Sequence, residues 1–122
     1  MNVQTTSEGD VSVIDLQGKL VAGVGDILLR DAVNELLAAG EKRILLDLSE
    51  VTHIDSSGVG ELVASKRIAA RFGAVVMATR ASQSVERVLR IAQILPLFNL
   101  QENRETAVEA LNAEQLPEEA TE

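Results

Sequence analysis

Asp55, Ser56 and Ser57 stand together in the segment Val51-Thr-His-Ile-Asp-Ser-Ser-Gly-Val-Gly60, just after His53. An acid, two hydroxyls and an imidazole so close together raise the question of a nucleophilic serine. A relay needs its base and its orienting acid to converge on the nucleophile from different directions. Sequence neighbours such as His53, Asp55 and Ser56 do not do this readily. The Gly-x-Ser-x-Gly elbow is also absent, because Asp55 stands two positions before Ser57. A metal site fares no better. His53 is the only histidine and there is no cysteine, so the donors would be nearly all carboxylates, and the acids show no calcium-loop spacing. What remains is a pair of hydroxyls at a helix start, either exposed or capping free backbone N–H groups. Gly58 and Gly60 sit beside them. Glycine costs helix stability, so two in one first turn are read as a steric requirement, a surface kept flat for an approaching partner. Ordinary helix-start chemistry also accounts for Asp-Ser-Ser-Gly taken alone.

The elements that must hold this segment follow from periodicity. Residues 43–48, Arg-Ile-Leu-Leu-Asp-Leu, form a short apolar run and read as a buried strand. Residues 57–72 read as a helix with Val59, Leu62, Val63 and Ala70 facing in, Arg67 and Arg71 facing out, and Gly73 as its stop. In an open α/β sheet such a junction lies at the carboxyl ends of the strands, where ligands and partners bind. Upstream, residues 1–6 and 11–16 read as a hairpin turning at Glu8-Gly9-Asp10. A helix over residues 27–39 puts Leu29, Val33, Leu36 and Leu37 on one face, with Asp26 as its cap and Gly40 as its stop. Downstream, residues 74–79 read as another buried strand. Residues 82–93 read as a helix with Val85, Val88, Leu89 and Ala92 inward and an exposed Glu86–Arg90 pair. Pro96 breaks it. Residues 97–100 are expected as a short last strand and residues 103–111 as a last helix.

Strands alternating with helices imply a largely parallel sheet with right-handed crossovers, made mixed by the hairpin. The expected class is α/β, with a mixed sheet of four to five strands and four helices largely on one face. Residues 1–111 form one domain. Residues 112–122 have few apolar side chains and are expected to be a disordered acidic tail.

Composition narrows the function. A chain of 122 residues, 46% apolar and 25% charged, can bury one core without staples. The formal charge is −8, but residues 101–122 hold seven acids and one arginine, so the body carries only −2. Nucleic acid and anionic membranes are therefore not expected partners. Phe72 and Phe98 are the only aromatic residues, expected in or beside the core, so there is no stacking platform for bases. His53 is expected as a partly buried strand-end residue. No apolar run approaches the roughly 20 residues of a membrane span. The first residues lack a basic stretch followed by an apolar one, and the cytoplasm is the expected compartment. The phosphate loop Gly-x4-Gly-Lys-Ser/Thr is absent. Gly23-Val-Gly25 is followed by Leu28 where a dinucleotide fingerprint needs a third glycine. No cofactor is expected.

The run Ile44-Leu-Leu-Asp-Leu-Ser-Glu-Val-Thr-His-Ile-Asp-Ser-Ser-Gly-Val-Gly-Glu-Leu62 resembles the signature of the STAS domain, and specifically that of the small stand-alone anti-sigma factor antagonists. The resemblance extends to Asp15-Leu-Gln-Gly-Lys-Leu20, to Gly73-Ala-Val-Val-Met-Ala and to Ser84-Val-Glu-Arg-Val-Leu, covering about residues 5–111. Strand, motif, helix and their order agree with it, which is far more specific than the tetrapeptide.

The resemblance implies a regulatory binding protein rather than an enzyme. In such a partner switch the unphosphorylated antagonist binds an anti-sigma factor that is also a serine kinase, and this frees a sigma factor. The kinase then phosphorylates the first motif serine, here Ser56, with Ser57 as the second choice. The complex separates, and a metal-dependent serine phosphatase resets it. The resemblance places Asp55 as an orienting or capping group and Ser57 as a loop support. Val21, Asp55, Ser56, Ser57, Gly58, Val59 and Gly60 form the partner-binding surface, where Asp55 and Glu61 add like charge against a phosphate. Many family members carry Asp where this chain has Val21, a position that contributes to docking in some, so Val21 bears on which partner is chosen. A monomer or weak dimer is expected. The alternatives are a stand-alone STAS subunit of a transporter or of a larger signalling assembly, and, in another class, a small ligand-binding or catalytic α/β protein.

Overall fold

The computed structural model describes residues 1–119. Two antiparallel strands, β1 (Asn2–Glu8) and β2 (Val11–Leu20), turn at Gly9, whose φ of 61° suits glycine. α1 (Gly25–Ala38) crosses over to β3 (Arg43–Ile54), and α2 (Ser56–Arg71) crosses to β4 (Val75–Ala78). β2, β3 and β4 run parallel, and the sheet order is β1-β2-β3-β4. Then come α3 (Gln83–Ile91), the one-turn α4 (Leu95–Phe98) and α5 (Arg104–Ala113).

Alternation along the strands divides the core in two. Ile14, Leu16, Ile44, Leu46, Leu48, Val76 and Ala78 point to one face, where Leu29 and Val33 of α1, Leu62 of α2, Val85 and Leu89 of α3 and Phe98 of α4 cover them. Val11, Val13, Leu45 and Met77 point to the other face, which Ala107 and Leu111 of α5 cover. Four helices on one face and one on the other answer to the expected α/β architecture.

Several details differ from the periodicity. Residues 97–100 add no strand: Pro96 occupies the first turn of α4, where its missing N–H costs nothing. The sheet continues only through an isolated bridge between Thr79 and Gln101. Ala70 and Ala92, expected inward, are exposed, while Ala69 is buried. Glu86 makes no exposed pair with Arg90. It is only 7% exposed, and its carboxylate accepts from Arg80 Nη2 at 2.9 Å and from the Ala81 N–H at 2.8 Å. Asp26 is no N-cap, since α1 starts at Gly25. His53 is exposed, and so is Phe72, whereas Phe98 lies in the core.

The region read as a tail begins as structure. Asn112 and Ala113 close the last turn of α5, and Arg43 donates to the Leu111 carbonyl at 2.8 Å and to the Glu114 carbonyl at 3.0 Å. Beyond it, Lys42 Nζ lies 3.1 Å from Glu119 Oε1, a solvent-facing pair. The expected disorder of residues 120–122 lies outside the described residues. Exposed pairs contribute about 0–1 kcal/mol. Deleting residues 115–122 should therefore lower the melting temperature by no more than a few degrees, whereas deleting from Asn112 also removes the helix end and should cost clearly more. Thermal melts of the two truncations check this, and equal losses would refute it.

Candidate functional site

The end of β2 is the floor on which the site is assembled. Gly25, the first residue of α1, lies so close that a Cβ would overlap the Lys19 carbonyl. A Cβ on Gly58, in the first turn of α2, would overlap the Leu20 carbonyl and crowd Ile54. Two helix N-termini thus converge on Lys19-Leu20, at the carboxyl ends of the parallel strands. This close approach corrects the steric reading of the glycines. Gly58 is buried and is required by the chain's own backbone, while a Cβ on Gly60 would meet nothing within 4 Å.

Asp55 ties the two helix starts together. It is the N-cap of α2, with Oδ1 accepting from the Gly58 N–H at 3.0 Å, and its Oδ2 accepts from the Ala22 N–H at 3.0 Å. These bonds, the Ala22 one first, hold its carboxyl below the ordinary aspartate range, so it is charged at neutral pH. Asp26 fixes the other side of the loop by accepting from the Gly23 N–H at 3.0 Å and the Ile27 N–H at 2.8 Å. The 21–24 loop is thereby pinned at both ends.

On this frame Ser56 is the first residue of α2 and is exposed, Ser57 and Val59 are half-buried, and Gly60 is open. Val21 is half-buried in the pinned loop. The sequence reading missed two neighbours, Val24 at 59% exposed and Ile27 at 44%. Their signal was present: both are apolar, and both lie off the Leu29–Val33 stripe. Glu61 does not add free charge here. It is buried and accepts from Arg30 Nη2 at 2.6 Å and Nε at 2.8 Å. Among the described residues there is no group of three or more His, Cys, Asp or Glu that could hold a metal, and no helix is long and apolar enough to cross a membrane.

The arrangement offers an exposed serine at a helix N-terminus, on a frame where a second helix start with the exposed apolar residues Val24 and Ile27 also converges. Among the described residues no side chain hydrogen-bonds the Ser56 hydroxyl. A family model for the STAS domain matches residues 2–107. This chain belongs to the STAS domain family. Solved structures of similar shape include a Thermotoga maritima protein described as a putative anti-sigma factor antagonist, at 23% identity and TM-score 0.81, covering 90% of this chain and 94% of that one. An anti-sigma factor antagonist from Mycobacterium paratuberculosis shares 19% identity with TM-score 0.76, covering 91% and 93%. The phosphorylated form of the Bacillus cell fate determinant SpoIIAA shares 19% identity with TM-score 0.69, covering 89% and 98%. At these identities the likeness shows the fold, which is that of anti-sigma factor antagonists.

Proposed function

We propose that this STAS protein is an anti-sigma factor antagonist switched by phosphorylation of Ser56. The observation that carries the reading is the exposed Ser56, the first residue of α2, next to Asp55, whose carboxylate ties the 21–24 loop to this helix start. Unphosphorylated, this surface docks on an anti-sigma factor serine kinase and frees a sigma factor, and a metal-dependent serine phosphatase restores it after modification. It acts as a binding module in the cytoplasm and catalyses nothing itself. Val24 and Ile27 supply apolar contact, and Val21 replaces a charged contact with an apolar one.

Phosphate adds about −1.5 to −2 charges and three acceptor oxygens. At a helix N-terminus the dipole and free N–H groups tolerate it. The docking surface must instead desolvate a near-dianion beside the Asp55 carboxylate. Glu61 is paired with Arg30, so the adjacent like charge within the motif comes from Asp55. A penalty of about 3 kcal/mol lowers affinity more than a hundredfold. Pull-downs with wild-type, Ser56→Ala and Ser56→Asp baits test this. Ser56→Ala should hold the kinase after ATP is added, Ser56→Asp should bind weakly, and phosphorylated protein should keep its melting behaviour. Phosphate mapped by mass spectrometry to another residue, or phosphorylated protein that binds as tightly as unmodified protein, would overturn the reading.

A further inference from the structure

α3, the turn before it and α4 enclose a cleft that the switch does not use. Gln83, Glu86, Arg87 and Arg90 fall at helical spacing on α3, so they share one face, and Arg80 reaches it from the preceding turn. These five line a hollow of about 260 Å³. A second hollow of about 470 Å³ shares Arg80, Glu86 and Arg90 and continues onto Leu95, Pro96 and Leu100 around α4. The two make one cleft, cationic at one end and apolar at the other.

The charge at the cationic end is organised. Glu86 is buried, and its carboxylate is taken up by Arg80 Nη2 at 2.9 Å and the Ala81 N–H at 2.8 Å. That contact holds the Arg80 guanidinium in place while leaving its side chain 54% exposed. Arg87 and Arg90 are exposed, and among the described residues neither has an ion-pair partner, although the chain holds nineteen acids against eleven bases. Three guanidiniums less the Glu86 carboxylate give the hollow a charge of +2, or +1 when Glu102, 3.8 Å from Arg80 Nη1, is counted at its edge. All three bases are arginines. Their forked N–H groups meet phosphoryl oxygens in pairs, where lysine offers only a point charge. A lone carboxylate fills one fork and leaves two arginines facing each other. A phosphomonoester, with about −1.5 to −2 charges and three acceptor oxygens, can engage all three.

The other end sets what carries the phosphoryl group. No aromatic ring lines either hollow, so a nucleobase finds nothing to stack on. Leu95, Pro96 and Leu100 offer an apolar floor for an aliphatic body. We propose that this cleft binds a phosphoryl group on a short aliphatic body, with Arg80, Arg87 and Arg90 on the phosphoryl oxygens and Leu95, Pro96 and Leu100 against the body. A ligand of this size on an open surface should bind with a dissociation constant on the order of 100 μM to 1 mM. The cleft uses none of the residues around Ser56, so its test is independent of the phosphorylation reading.

Hexyl phosphate titrated into the full-length protein, followed by NMR of the arginine Nε–H groups and backbone amides, tests this. Saturable shifts should centre on Arg80, Arg87, Arg90 and residues 95–100. Hexyl phosphate should bind at least tenfold tighter than hexanoate, which has the body without the dianion. It should also bind at least threefold tighter than inorganic phosphate, which has the dianion without the body. A phosphoserine peptide presents the same group on a polar backbone and should bind more weakly than hexyl phosphate. Arg87→Gln and Arg90→Gln should each lose at least fivefold in affinity with an unchanged melting temperature, whereas Arg67→Gln, on the exposed side of α2, should lose nothing. Glu102→Gln removes the competing acid and should tighten binding. No saturation below about 10 mM, hexanoate or the phosphoserine peptide binding as tightly as hexyl phosphate, or an equal loss in Arg67→Gln would overturn the proposal.

Discussion

Gly58→Ala should unfold or severely destabilise the protein, while Gly60→Ala, two residues along the same helix, should leave it as stable or slightly more so. The added Cβ at Gly58 meets the Leu20 carbonyl and the Ile54 side chain, and the carbonyl belongs to a strand that cannot step aside. Overpacking typically costs 1–3 kcal/mol and occasionally more. The clash here is with strand backbone on one side and a packed side chain on the other, so about 3 kcal/mol or more is expected, against a total stability of roughly 5–15 kcal/mol. At Gly60 the Cβ enters open space, and alanine gains up to about 1 kcal/mol of helix propensity. Urea denaturation of the two variants checks the contrast. Because Gly60→Ala remains folded, it also isolates the docking question: if a partner's backbone approaches at Gly60, this variant loses affinity without losing stability. Similar stability losses in both would refute the packing argument.

The second large effect concerns Arg104. Its Nη2 lies 2.6 Å from Asp15 Oδ1 and 2.8 Å from Asp47 Oδ2, so one guanidinium bridges two carboxylates that face each other on β2 and β3. Burial raises the Asp47 carboxyl, but hydrogen bonds from Ser49 and then Arg104 outweigh it and hold the group below the ordinary range. A depressed carboxylate stabilises the fold above its unfolded value of about 3.9, and that contribution is lost as pH falls through the folded value. Arg104→Met keeps the helix-forming stem and removes the charge. Asp47 then keeps its burial and its acidic neighbour without the compensating cation, so its folded value rises. The deficit should be about 2–3 kcal/mol at pH 7, below the 3–5 kcal/mol of a fully buried broken pair because Arg104 is partly exposed. It should shrink as pH falls towards 4–5 and Asp47 takes up a proton. Melting curves of both proteins between pH 4 and 8 test this, and a deficit that grows on acidification would refute it.

These two sites mark where sequence reasoning reached its limit. The four strands of the sheet, the four longer helices and the exposed position of Ser56 were legible because each rests on local periodicity or on a local cap. Gly58 and Gly60 were indistinguishable in sequence, because what separates them is the Leu20 carbonyl, 38 residues upstream of Gly58. Glu86 read as the partner of Arg90 at helical spacing. A bent-back Arg80 captured it instead, and that contact depends on the turn before α3. The run Leu97-Phe-Asn-Leu100 was too short for periodicity to separate strand from helix turn. Val24 and Ile27 were visible as apolar residues, yet their exposure is decided by where α1 docks.

The placement of α5 has a consequence for the order in which the chain is made. Among the described residues it is the helix that covers Val11, Val13, Leu45 and Met77, and it is built from residues 104–113. During synthesis that face of the sheet stays wet until residues 104–113 have left the ribosome, whereas the opposite face acquires α1 and α2 earlier. A nascent or truncated chain lacking α5 is thus a half-covered sheet with an apolar face, the form in which this protein is most prone to be held by chaperones or to aggregate. Arg104 docks at the start of the last helix, so arrival of that one side chain pairs both waiting carboxylates and closes the fold.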